Sequence, residues 1–202
     1  AWVSVRYAQS GLRPAVVSPL ANSTVTGEIN LTAVADPLIV GLRFDYVTPT
    51  NVTFGVGAAA FDAGSGRWWA LWNTTGLGGA GYSVVAVGTD ARGFRFSGPR
   101  QPITVDNAPP LVAFVYPTNN GNLTGVANLV ATASLDAVSV SFSYDNGTAV
   151  VPIGFATQTS PGRWELSFDT TSFGEIDSVA LFVTAVDAVG LAGTGSVNVA
   201  ID

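Results

Sequence analysis

The chain has 202 residues, 48% hydrophobic and only 11% charged, with 14 acidic against 8 basic side chains. The resulting net charge of −6 excludes the basic surface that binding to nucleic-acid phosphates requires. Histidine, cysteine, methionine and lysine are all absent. That excludes a Ser-His-Asp triad, a thiol nucleophile, a lysine Schiff base and the usual zinc ligands.

The length suits two domains of about 100 residues each. Mean hydropathy is +0.39, so a surface this poor in charge needs cover from sugar, from neighbouring subunits or from both. No apolar run approaches the ~20 residues of a membrane-spanning helix. The opening Ala1-Trp2 could be a mature end left by processing.

Residues 1–8 alternate, with Ala1, Val3, Val5 and Tyr7 on one side and Trp2, Ser4, Arg6 and Ala8 on the other. This is the period of a strand, and residues 9–12 read as its linker. Nothing later in the chain repeats it. An unpaired apolar strand is a liability unless it finds a partner. Two readings follow: donation to a neighbouring subunit by strand addition, or an extra edge strand on its own domain. The donor residues are Trp2, Val3, Val5 and Tyr7.

From residue 13 onward the chain is one pattern written twice. Pro19, Thr26, Gly27, Asn30, Leu31, Ala33 and Ala35 recur 98 positions later as Pro117, Thr124, Gly125, Asn128, Leu129, Ala131 and Ala133. Gly66-Arg67-Trp68 recurs as Gly162-Arg163-Trp164, and Asn73-Thr74-Thr75 as Asp169-Thr170-Thr171. The first copy predicts strands near 14–18, 28–35, 39–46, 52–60, 67–72, 82–90 and 94–105. The second predicts them near 111–116, 126–133, 137–144, 149–156, 163–168, 178–187 and 195–202. Val138, Val140, Phe142 and Tyr144 alternating with serines show the two-residue period most clearly. Seven short strands per copy specify an all-β protein of two tandem immunoglobulin-like sandwiches. The expected boundaries are 13–106 and 107–202, with Pro109-Pro110 stiffening the joint.

Within the first copy, alignment with Trp164, Leu166 and Phe168 places Trp68, Ala70 and Trp72 inward. Trp69 and Leu71 then face outward, where the second copy has Glu165 and Ser167. An exposed Trp and Leu on one strand suggest a covered surface, so both are candidate subunit contacts. Cover by the 52–65 loop is the alternative.

Six Asn-x-Thr triplets mark acceptors for N-linked sugar: Asn22, Asn30, Asn51, Asn73, Asn122 and Asn146. They take six of the 11 asparagines, and every one ends in Thr rather than Ser. Asn22 and Asn122 read as the same turn of the two copies. Asn30 is the weakest acceptor, because its counterpart Asn128 falls in a strand. Sugar at these sites would shield apolar surface and place the chain outside the cell. No cofactor is expected apart from the glycans themselves.

Asp90 and Asp187, at equivalent positions, read as turn-forming rather than calcium-binding. Asp36, Asp106 and Asp136 carry no spaced acidic motif, and no metal site is expected. Gly76-Leu77-Gly78-Gly79 lacks the lysine and the helix of a phosphate cradle.

The run VDNAPP at 105–110, then an apolar strand, Pro117, Leu123-Thr124-Gly125 and VDAVG at 186–190, resembles the Ig-like repeats of bacterial and archaeal surface proteins. Asp90-Ala91-Arg92-Gly93 and Asp187-Ala188-Val189-Gly190 match the end of that repeat, without its closing Asn. Taken with residues 1–8 and the acceptor triplets, the chain resembles the subunits of archaeal thread-like filaments. The resemblance implies a secreted, cell-surface, N-glycosylated homopolymer linked head to tail by donated N-terminal strands. It implies identical subunits as partners, with the second domain as acceptor keeping the filament linear. The absence of lysine excludes Lys–Asn isopeptide cross-links. Other functions open to the same features are an adhesin or carbohydrate-binding surface module, and an S-layer or cell-wall spacer.

Overall fold

Each alternating segment has one way to hide its apolar side, which is to become a strand whose inner face meets a second sheet. The computed structural model describes residues 13–202, so the expected donor residues Trp2, Val3, Val5 and Tyr7 lie outside the described residues. The described chain is all-β and forms two tandem immunoglobulin-like sandwiches, the first ending at Asn107 and the second spanning Ala108–Asp202.

The first domain contains β1 (Ala15–Ser18), β2 (Ser23–Val25), β3 (Glu28–Val34), β4 (Ile39–Val47), β5 (Thr53–Ala58), β6 (Ala60–Asp62), β7 (Arg67–Asn73), β8 (Gly79–Asp90), β9 (Arg95–Ser97) and β10 (Gln101–Val105). One sheet runs β1-β3-β7-β6, and the other runs β2-β10-β8-β4-β5 with β9 also on β8. β1 and β2 belong to opposite sheets, so the chain crosses between them over residues 19–22. Pro19 supplies no N–H there, and Asn22 takes the left-handed conformation (φ 63°) that asparagine tolerates. β2 then lies parallel to β10. The core is built from inward residues of both sheets, with Leu31, Phe44, Val84 and Val105 fully enclosed.

The second domain repeats the plan with β11 (Val112–Tyr116), β12 (Gly121–Leu123), β13 (Val126–Ala133), β14 (Ala137–Asp145), β15 (Val150–Phe155), β16 (Thr157–Ser160), β17 (Arg163–Asp169), β18 (Ile176–Asp187) and β19 (Ala192–Ile201). Its sheets run β11-β13-β17-β16 and β12-β19-β18-β14-β15. Leu129, Phe142, Leu181 and Ile201 are fully enclosed at its centre.

The structure departs from the sequence expectations in three places. The short strands β2, β6, β12 and β16 fall in stretches read as turns or as parts of longer strands. The expected strand 94–105 is broken into β9 and β10, with Pro99 in the gap, whereas β19 runs unbroken. Pro99 cannot donate to a ladder, in keeping with the break, although Pro102 is accommodated within β10. Finally, Asn107 belongs to the first domain. Its Oδ1 accepts from Thr26 Oγ1 (3.0 Å) and Gly27 N (2.7 Å), and its Nδ2 donates to Thr74 O (2.6 Å) and Leu77 O (2.9 Å). That set satisfies the whole amide and ties the end of β10 to the turn after β7.

Glycine is required at one pair of equivalent points. A methyl built on Gly98 would overlap the Pro14 carbonyl oxygen, and one on Gly193 would overlap that of Pro110. The incoming chain therefore lies directly on the residue after β9 in the first domain and on β19 in the second.

Candidate functional site

Two surface features of the first domain make up the candidate site. One is an open groove, and the other is the outer face of the β1-β3-β7-β6 sheet.

The groove lies where β5 and β7 part at the side of the sandwich. Tyr46, Val56, Leu71, Trp72, Asn73 and Leu77 are among its lining residues, and its volume is about 370 Å³. Three rings stack along it: Phe54 on Tyr46 at 5.4 Å and Tyr46 on Trp72 at 5.1 Å between centroids. β6 pairs with only residues 67–69 of β7. Among the described residues, then, Ala70–Asn73 have a ladder partner in β3 alone and show a free backbone edge to the groove. In the second domain the corresponding space holds Phe173, edge-on to Tyr144 (5.3 Å) and Phe168 (5.5 Å). Leu77 and Phe173 are equivalent because each donates its N–H to a threonine carbonyl, Thr74 or Thr170, that closes the same turn. β16 likewise pairs with only residues 163–165 of β17, so what differs is the ring set: Trp72 and Leu77 stand where the second domain has Phe168 and Phe173.

On the outer face of the first sheet, Trp69 is 39% exposed and Leu71 54%. Trp68, Ala70 and Trp72 point the other way, into the core. The 52–65 segment does not cover Trp69 and Leu71; within it, β6 pairs edge to edge with β7 instead.

All six acceptor asparagines are exposed. Asn22 and Asn51 sit in turns at positive φ. The Asn51 Oδ1 accepts from Arg100. Asn73 Oδ1 accepts from Thr75 N (2.9 Å) and Thr75 Oγ1 (2.7 Å), and Asn146 Oδ1 accepts from the corresponding groups of Thr148. In both triplets the oxygen is held inward by the third residue and Nδ2 is left toward solvent. Asn30 lies in β3, opposite Leu71. Asn122 lies in β12 rather than in a turn, and its amide donates to Asp202. The turn equivalent to Asn22 is occupied by Asn120 (φ 62°), which is not an acceptor.

Asp169 replaces Asn73 in the second domain with the same bonds, from Thr171 N (2.9 Å) and Thr171 Oγ1 (2.6 Å). The Thr171 hydroxyl, and then its N–H, hold the Asp169 carboxyl below its ordinary pKa. A lowered folded pKa contributes stability above the unfolded value, and that stability is lost as pH falls through the folded one. Asp169→Asn keeps the acceptor oxygen and removes the titration. It should flatten the acid limb of the second domain's melting temperature against pH, and in a glycosylating host it should create a new acceptor. An unchanged acid limb would show that this turn does not contribute to acid sensitivity.

Asp90 and Asp187 close equivalent turns. Each Oδ1 accepts two backbone N–H groups at 2.9 Å, from Arg92 and Phe94 and from Val189 and Leu191 respectively. Among the described residues no three acidic side chains gather to hold a metal ion.

No family model matches the chain, and no curated protein does. Among solved structures, the fibronectin(III)-like modules of Clostridium thermocellum CbhA are similar at 22% identity, covering 94% of both chains with a TM-score of 0.47. A tetra-tandem repeat from the extending region of a large adhesion protein is similar at 17% identity and a TM-score of 0.36; this chain spans 50% of its length and is itself covered over 90%. The titin domains Z1Z2, solved in complex with telethonin, are similar at 16% identity over 94% of this chain and 96% of that one, with a TM-score of 0.36. The fold assignment rests on the strand pairings described above.

Proposed function

We propose that the chain is a structural, non-enzymatic subunit of an extracellular filament, built head to tail by strand donation and coated with N-linked sugar. Residues 1–8 would leave their own subunit and add to the next. The observation that carries this reading is the open groove of the first domain, flanked by the free edge of Ala70–Asn73. Main-chain hydrogen bonds to that edge would give attachment, and pockets for alternate side chains would give register. A contact of this head-to-tail kind does not close on itself and so propagates. The six exposed acceptors support the coat.

The groove favours the first domain as acceptor, in place of the second domain that linearity alone suggests; at the equivalent place in the second domain Phe173 packs edge-on against Tyr144 and Phe168. This can be tested by filling the groove. Leu77→Phe introduces the ring that the second domain already accommodates, so the domain should fold. Filaments seen by electron microscopy for the parent chain should then be absent or reduced at least tenfold. Unimpaired filaments from this variant would remove the groove as acceptor.

A further inference from the structure

On β3 and β7 the outer face of the first domain differs from its counterpart at Glu28, Thr32, Val34, Trp69, Leu71 and Asn73, while Asn30 keeps its identity but loses its acceptor triplet. Val34, Trp69 and Leu71 become Thr132, Glu165 and Ser167. The acceptor asparagines Asn30 and Asn73 become Asn128, which no threonine follows at the required spacing, and Asp169. Where Val34, Trp69 and Leu71 are lost, both acceptors are lost with them, although Val126 brings an exposed apolar side chain in place of Glu28.

Register brings these groups together. Asn30 lies opposite Leu71, and Thr32 opposite Trp69. Asn30 is therefore diagonal to Trp69, a separation of roughly 7–8 Å that long side chains bridge. Asn73 lies opposite Glu28, diagonal to Asn30 on its other side. In the second domain the amide of Asn128 instead donates to Glu165 at 2.9 Å, so the residue in the place of Trp69 ties that asparagine down.

Thr32 provides an independent observation. Its hydroxyl is buried without a hydrogen-bond partner among the described residues. A buried, unpaired hydroxyl is unfavourable. The second domain has Val130 at this place, well packed and 5% exposed. Packing thus favours valine, but valine cannot complete the Asn30-Leu31-Thr32 acceptor, which needs a hydroxyl residue at its third place.

From this we infer that the outer face of the first domain is a seat for the chain's own sugar. The pyranose linked to Asn30 lies over Trp69 and Leu71, with the glycan of Asn73 beside it. The ring's C–H face meets the electron-rich indole face, and the sugar covers apolar surface that would otherwise be open. The inference rests on the sugar coat proposed above. It meets the strand-donation proposal at Leu71 and Asn73, which line the groove as well as the outer face, so the donated strand would lie along the free edge of β7 with the sugar bordering it.

The absence of cysteine makes a direct test available. Asn30→Cys gives a single thiol, which iodoacetamide-linked N-acetylglucosamine alkylates with loss of iodide. The expected result is an upfield ring-current shift of the pyranose C–H proton signals, lost when Trp69→Glu is added. The glutamate copies the second domain and so preserves the fold. Native protein is mapped in parallel by glycopeptide mass spectrometry, with sugar expected at Asn30 and Asn73. Unshifted sugar signals on a folded, fully labelled chain would overturn the seat and leave the coat standing. An empty Asn30 beside occupied acceptors elsewhere would do the same. Sugar at none of the six sites would defeat the coat itself, whatever the labelled variant shows.

Discussion

A chain lacking residues 1–8 should stay monomeric under conditions in which the full chain is expected to form filaments. The described members of both hydrophobic cores lie within residues 13–202, and the truncation removes none of them. What it loses is an alternating segment whose Val3, Val5 and Tyr7 share one side. If that segment enters the groove of a neighbour, its removal deletes the only linkage the proposal contains, and assembly falls to background. Sedimentation velocity and negative-stain microscopy of both chains read this directly. If the truncated chain still polymerises, strand donation is wrong. A truncated chain that is monomeric but melts far below the parent would favour residues 1–8 as an edge strand of their own domain. Adding the missing segment as a free peptide separates the cases further: it should bind the truncated chain, and Leu77→Phe should weaken that binding.

The fold was legible because alternation and repetition report on the same physics. Val138, Val140, Phe142 and Tyr144 are buried or half-buried and their intervening serines are not fully enclosed, with one exception: Val138 lies 60% exposed at the start of β14. A single residue at a strand end can break the period without changing the sheet. The inward and outward sides of β7 were readable by aligning one tryptophan with another. The groove was not readable, since it depends on where β6 stops pairing and on the difference between Leu77 and Phe173, two loop residues outside any periodic run. The bonding of Asn107 was equally hidden, because its partners Thr26, Gly27, Thr74 and Leu77 are far away in sequence. Asn22 and Asn122 looked equivalent from their turn-rich surroundings. In fact the offset of 98 sends Asn22 to Asn120, and Asn122 enters β12. Asn30 looked weak as an acceptor because its counterpart Asn128 falls in a strand and is not an acceptor; its side of β3 is the open face of the sheet.

Phe142→Ala should lower the stability of the second domain by about 3–5 kcal/mol, the range for emptying a fully enclosed aromatic site. Phe142 is 1% exposed and packs against Phe114 at 5.4 Å between ring centroids. It also lies between Val183, its partner on β18, and the opposing sheet. Alanine leaves a cavity that the surrounding strands cannot close, since interiors are packed as densely as organic crystals. For a domain of ordinary stability, about 5–15 kcal/mol, this loss takes a large share of the total. Each sandwich has its own core, so the effect should be confined to one of two calorimetric transitions. Phe44→Ala, at the equivalent place in the first domain, should lower the other one. If each variant lowers one transition and spares its counterpart, the sandwiches are separate folding units. A single transition that shifts equally in both variants would mean that the two cores melt as one. Under that outcome, a strand seated in the first domain would also raise the melting temperature of the second. Under the first outcome, seating it would raise the melting temperature of the first domain alone.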